Sequence, residues 1–279
     1  MSDWPIFPNY YTSKWYPVID GGSTYYTQVD TANAANTKGN YTQIIASTPC
    51  DCFLVLQITR FANVGDFLID IAVGGAGSES IIVSDILFSR ANALQFGLVQ
   101  SIPIPKLIPS GTRVSIRCQS TRASTNSIYL NICCNCLGNI LYTDLNPKIT
   151  TYGSNTADSG GTGLDPGGVA NTKSAWVEIS SSLTFETSGL FLGIGSRNNA
   201  TTSTCSWSLD LAVGGAGSEQ IIISSIIITI HGNNNLINPG ISDIYWVSIP
   251  AGTRLAARVQ SNITDASDRL IDIIVYTIS

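Results

Sequence analysis

Charge is scarce in this chain. Its 279 residues carry 14 Lys and Arg against 19 Asp and Glu, so only 12% are charged, about half the usual share of a globular protein. That shortage argues against a helical protein, whose outward faces are ordinarily solvated by charge. No apolar stripe of helical spacing runs for three turns either. Basic residues never cluster, and the net charge of −5 speaks against a nucleic-acid partner, since phosphate binding needs grouped Lys and Arg. Histidine occurs once, at His231, without a visible orienting partner for catalysis. Gly-x-Ser-x-Gly and Gly-x-x-x-x-Gly-Lys are both missing, so neither a hydrolase elbow nor a phosphate loop is expected. No apolar run reaches the length of a membrane span, about 18 residues. The longest, Ile221 to Ile230, is broken by Ser224 and Ser225. Met1-Ser2-Asp3-Trp4-Pro5 lacks the basic and apolar regions of a signal peptide, so synthesis and folding in a cytoplasm, without membrane insertion, are expected.

What the chain does have is repetition. Val73-Gly74-Gly75-Ala76-Gly77-Ser78-Glu79 returns as Val213-Gly214-Gly215-Ala216-Gly217-Ser218-Glu219, with Asp70 and Asp210 three residues ahead. Ile108-Pro109-Ser110-Gly111-Thr112-Arg113 returns as Ile249-Pro250-Ala251-Gly252-Thr253-Arg254, and Ala35-Asn36-Thr37-Lys38 as Ala170-Asn171-Thr172-Lys173. Three anchors in one order imply a single unit, duplicated. Residues 1–34 then read as an N-terminal arm, 35–145 as the first repeat, 146–169 as a Gly/Ser-rich linker and 170–279 as the second repeat.

Within each repeat the apolar residues alternate, as in strands with one buried face. Phe67, Ile69, Ile71 and Val73 point inward, and Leu209, Leu211 and Val213 match them. Val114, Ile116 and Cys118 alternate with outward Arg113, Ser115, Arg117 and Gln119. Short strands separated by Gly and Pro turns predict an all-β protein of two tandem antiparallel β-sandwiches, jelly-roll-like, behind an extended arm. The arm crowds Trp4, Phe7, Tyr10, Tyr11, Trp15 and Tyr16 among prolines. It either wraps its own domain or docks on another subunit, where aromatic side chains are favoured. In the second case it is dispensable for folding.

Asp70, Glu79, Arg113 and Arg117 recur as Asp210, Glu219, Arg254 and Arg258. They read as cross-strand ion pairs and turn hydrogen bonds, or else as a contact to a subunit or glycan shared by both repeats. Of the seven cysteines, Cys118, Cys133 and Cys134 align with apolar Val259, Ile274 and Val275, which favours small core fillers over zinc or a disulfide. No cofactor or metal is expected.

The repeated Asp-x-Ala-Val-Gly-Gly-Ala-Gly-Ser-Glu-x-Ile-Ile, followed by Ile-Pro-x-Gly-Thr-Arg and Gln-Ser, resembles strand-rich virion structural proteins of tailed bacteriophages. The resemblance covers both repeats and not the arm. It implies a non-enzymatic component of the tail, baseplate, fibre or capsid decoration, made in the host cytoplasm and carrying no catalytic residues. The expected partners are other virion proteins, copies of itself as a trimer or hexamer, and a host surface glycan. A lectin-like module presenting Tyr245 and Trp246, and a glycan depolymerase using Asp and Glu pairs, are the alternatives.

Overall fold

The computed structural model describes residues 10–16, 26–90, 100–137, 147–196, 205–230, 237–263 and 270–279. No helix occurs among them: the chain is all-β, its antiparallel sheets stacked as β-sandwiches. The first sandwich holds β1 (Tyr10–Tyr16), β2 (Thr27–Asp30), β3 (Thr42–Ile45), β4 (Cys52–Phe61), β5 (Gly65–Val73), β6 (Ser80–Arg90), β7 (Gln100–Ile108), β8 (Val114–Ser120) and β9 (Ser127–Leu137). One sheet runs β1-β9-β4-β7, with β2 also on β9, and the other runs β3-β8-β5-β6. From β2 onward the chain crosses repeatedly between the sheets, the jelly-roll path.

The second sandwich holds β10 (Ile149–Tyr152), β11 (Thr162–Leu164), β12 (Val177–Ser180), β13 (Gly189–Ser196), β14 (Cys205–Val213), β15 (Gln220–Ile230), β16 (Ile237–Asn238), β17 (Leu255–Ser261) and β18 (Ile271–Ile278). Its sheets are β10-β18-β11, with β13 on β18, and β12-β17-β14-β15-β16. The anchors fall on matching strands. Ile69 of β5 lies between Ile86 and Cys118, as Leu209 of β14 lies between Ile226 and Val259.

Two stretches outside the expected repeats add strands to the sandwiches. β1 and β2, read as part of an arm, pair with β9 of the first sandwich. β10 and β11, read as linker, pair with β18 of the second in the corresponding places. Ladder hydrogen bonds run through backbone groups and need no particular side chain, so the equivalence leaves no residue match. Trp4 and Phe7 lie outside the described residues, and only the strand backbone is described for Tyr10 and Tyr11. Trp15 is 39% exposed and Tyr16 packs on the first core. Two strands of the first sandwich thus come from the stretch read as an arm.

A correction concerns the outward faces. β5 is buried on both faces, and Ser115 and Gln119 of β8 are also buried. The segment between β2 and β3 covers them: Asn36 N–H donates to the Ser120 carbonyl and Gly39 N–H to that of Cys118. Gln119 in turn donates to the Thr156 carbonyl and to Ser159.

The two sandwiches are packed together without a joint. In β18, Ile271, Ile273 and Val275 enter the second core, while Ile274, Tyr276 and Ile278 join the first. Phe191 of β13 stacks on Tyr276 with ring centroids 4.7 Å apart. β6 lies against this outer face. Tyr276 Oη accepts from Leu87 N–H at 2.9 Å and donates to the Asp85 carbonyl at 2.7 Å. Glycine permits the approach, because a Cβ on Gly193 would stand 3.1 Å from Leu87 Cβ. Ser84 and Thr151 bond at 3.0 Å, and Ser196 N–H donates to Ser89 at 3.0 Å.

The cysteines divide. Cys52, Cys118, Cys133, Cys134 and Cys205 are buried and form no disulfide, as core fillers should. Burial pushes the Cys118 thiol up to about 12. Cys50 and Cys136, however, form a disulfide across 86 residues of sequence, which corrects the expectation of reduced cysteines throughout. Closing so long a loop restricts the unfolded chain, so Cys50→Ser should lower unfolding free energy by about 4 kcal/mol. Equal denaturation midpoints for the variant and the parent would contradict this.

Candidate functional site

The repeated residues converge on two matched clusters, one on each sandwich. In the first, the glycine-rich turn joins β5 to β6, with Gly74 at φ 111° and Gly77 at φ 82°; a side chain there would be strained. Glu79 closes the turn by accepting from Gly77 N–H at 2.9 Å and from Arg113 at 3.0 Å. Arg113 also donates to the Gly74 carbonyl. In the second sandwich Glu219 accepts from Gly217 N–H at 3.0 Å and from Arg254 at 3.1 Å, while Arg254 reaches the Gly214 carbonyl. Each glutamate accepts from its own backbone N–H, which together with the arginine holds it below the ordinary carboxylate range against the pull of burial. Arg254 also binds Glu178 at 2.7 Å, and that pair raises its own pKa.

The second element of each cluster is a buried aspartate on the central strand. Asp70 is 2% exposed and meets Lys38 at 2.7 Å and Arg117 at 2.8 Å. Asp210 is 3% exposed and meets Lys173 at 2.9 Å and Arg258 at 3.0 Å. Both also accept a backbone N–H from a neighbouring residue forced to positive φ: Asp85 at 56° for Asp70, Ser225 at 56° for Asp210. Burial pushes Asp210 up, but Lys173, the Ser225 N–H and Arg258 outweigh it, and its pKa is lowered. Each outer arginine is roofed by an aromatic ring. Arg117 lies 4.6 Å from the Tyr41 centroid and Arg258 4.4 Å from that of Trp176.

All eight recurring charged residues are therefore brought together, four to a sandwich, and are spent on one another. Lys38 and Lys173 are the site residues that sequence reasoning misses, although they close the Ala-Asn-Thr-Lys repeat. A cation recurring in step with the carboxylates is the signal that points to them. Among the described residues, no group of three or more His, Cys, Asp or Glu is placed to hold a metal ion. No helix of the described residues is long and apolar enough to cross a membrane. His231 lies outside the described residues.

One groove is open. It lies between the sandwiches, about 280 Å³ in volume, and is lined by Ser101 and Pro103 of β7, Phe191 of β13, and Ser242, Asp243 and Trp246. Trp246 is 54% exposed, and its ring lies over Gly189, where a Cβ would come within 3.0 Å of it. Tyr245 is half-buried, which raises its pKa.

Fold and clusters together define an all-β protein of antiparallel sandwiches whose repeated polar residues are internal ties. No family model matches the chain, and no curated protein does. Among solved structures it is similar to PNGF-II in two crystal forms, space groups C2 and P21, at 10% identity and TM-scores of 0.38 and 0.39. The matches cover 91% and 90% of this chain but 64% and 65% of PNGF-II, so the chain spans less than two thirds of that protein.

Proposed function

We propose that the protein is a non-enzymatic structural component of a tailed-phage virion, a rigid double sandwich with a part in host attachment. The observation that carries this reading is the consumption of the repeated carboxylates by internal pairing. Asp70 and Asp210, the residues a depolymerase would need, are buried between two cations each. A general acid must reach its substrate's leaving oxygen, and neither side chain can. Continuous packing between the sandwiches suits a part that transmits force better than a hinged one. Jelly rolls also recur in viral capsid and lectin domains, an analogy at fold level only. The test is protein composition of gradient-purified particles, in which this chain should appear at a fixed copy number. Its recovery only from the soluble lysate would defeat the proposal.

The groove at Trp246 favours a second reading, a carbohydrate-binding module. An exposed indole held flat beside Ser101, Ser242 and Asp243 offers an apolar platform with polar groups at its rim, the mixed lining that small-ligand sites use. On a glycan array the protein should give saturable binding, and Trp246→Ala should abolish it. Undiminished binding by the variant would remove the groove from consideration.

A further inference from the structure

The Cys50–Cys136 disulfide has a neighbour of the same construction, one step further along the sheet. Strand residues two apart share a face. On β4, Cys52 points into the first core with Leu54 and Leu56, and on β9 Cys134 points into the same core. The ladder sets Cys52 opposite Cys136 and Leu54 opposite Cys134. Cys134 therefore stands diagonally from Cys52 as Cys136 does from Cys50, each pair two residues away from direct opposition. That diagonal is short enough to bridge. The Cα atoms of Cys50 and Cys136 are 5.7 Å apart, inside the range of about 4.4–6.8 Å that disulfides span. Cys52 and Cys134 have already closed to a hydrogen bond between their side chains.

A third relation joins the two pairs. Directly opposed residues of an antiparallel ladder lie about 4.5–5.5 Å apart at Cα, so Cys52 and Cys136 are within bridging reach as well. The four sulfurs make a chain, Cys50, Cys136, Cys52, Cys134, that runs from the rim of the sheet inward. Cys50 is half-buried and Cys136 is 8% exposed, whereas Cys52 and Cys134 are fully buried. A dissolved oxidant meets the outer end of this chain and not the inner one. The inner end is nonetheless prepared for exchange, which needs a thiolate and a nearby disulfide. The hydrogen bond from Cys52 holds the Cys134 thiol below its ordinary value, and the same bond, with burial, pushes Cys52 up.

We infer that Cys52 and Cys134 are a second redox pair, oxidised to a disulfide by relay through Cys136 and Cys50, with a small-molecule disulfide as the oxidant. Cys52 Sγ attacks Cys136 Sγ and passes its proton to the Cys134 thiolate. The Cys50–Cys136 bond breaks, and Cys50 leaves as a thiolate at the rim. Cys134 Sγ then attacks Cys52 Sγ, closing Cys52–Cys134, and Cys136 leaves with the proton. Cys50 attacks the dissolved disulfide, releasing one thiolate, and Cys136 displaces the other half as a thiol to restore Cys50–Cys136. Two protein thiols are oxidised and one small disulfide is reduced to two thiols, so electrons and protons balance. The product is a double clasp across β4 and β9, its inner bond shielded from dissolved reductants. This inference stands apart from the virion reading and neither requires the other.

Incubating the full chain with glutathione disulfide at about pH 8.5, near the ordinary thiol pKa, tests the relay. Acid quenching, alkylation and mass spectrometry read the result, and cleavage ahead of Asp51 separates Cys50 from Cys52. The parent should lose two thiols, gain a Cys52–Cys134 link, and keep Cys118, Cys133 and Cys205 reduced. Cys136→Ser breaks the chain of sulfurs and should leave Cys52 and Cys134 reduced over the same interval, with circular dichroism verifying its fold. A parent in which Cys52 and Cys134 stay reduced would overturn the inference, whatever the variant does. Equal rates of Cys52–Cys134 formation in the parent and in folded Cys136→Ser would overturn it too, since the oxidant would then reach the inner thiols without passing through Cys136.

Discussion

Asp210→Ala should lower the free energy of unfolding by about 3–4 kcal/mol, because it strands Lys173 and Arg258 against a protein surface that no longer offsets their charge. The aspartate is 3% exposed and accepts from Lys173 Nζ, Arg258 Nε and the Ser225 N–H. A buried ion cluster loses more when one member is removed than an exposed pair does, for which about 0–1 kcal/mol is typical. Lys173 and Arg258 keep 20% and 28% of their side-chain surface, so water softens the loss, which is why the figure sits low in the range for buried pairs. Asp210→Asn retains the volume and should lose less. The same residue gives a pH dependence. Its folded pKa is lowered, so its contribution is fully present above the unfolded value of about 3.9 and is lost as pH falls through the lower folded one. Acid unfolding followed by fluorescence should therefore be less steep in Asp210→Asn than in the parent. A change under about 1 kcal/mol for Asp210→Ala would show that the cluster is ornamental to stability.

Tyr276→Ala should cost about 3–5 kcal/mol and, beyond that, separate the unfolding of the two sandwiches. The ring is fully buried and stacked on Phe191, and its hydroxyl satisfies the Leu87 N–H and the Asp85 carbonyl together. Truncation leaves a cavity at the contact and two unpaired backbone groups on β6. Tyr276→Phe keeps the ring and should cost only about 1–3 kcal/mol, the desolvation left at those two groups. Calorimetry distinguishes the variants. The parent and Tyr276→Phe should give one transition, and Tyr276→Ala two. A single transition in Tyr276→Ala would mean that the remaining contacts, Ser84 with Thr151 and Ser89 with Ser196, suffice to couple the halves.

Much of this arrangement is legible in the amino-acid sequence. The fold class follows from strand alternation and turns, and the partners of Glu79 and Asp70 follow from charged residues recurring in step with the glycines. What stays hidden has physical reasons. Asp70 reads as outward because alternation within β5 cannot report a covering loop, and here residues 36–39 supply one. β1 and β10 share no residue pattern because their common role is backbone pairing with β9 and β18. The disulfide leaves one trace. Cys118, Cys133 and Cys134 align with apolar residues, but Cys136 aligns with Thr277, so an internal control that identifies filler does not extend to it.

β18 belongs to two interiors at once, and all eight of its residues are buried. An ordinary strand with a wet side lets every second position drift toward serine or lysine without harm. Here there is no such alternate refuge: scanning mutagenesis through 271–278 should meet intolerance at consecutive positions, while the same scan along β15 should show a two-residue rhythm of damage and indifference.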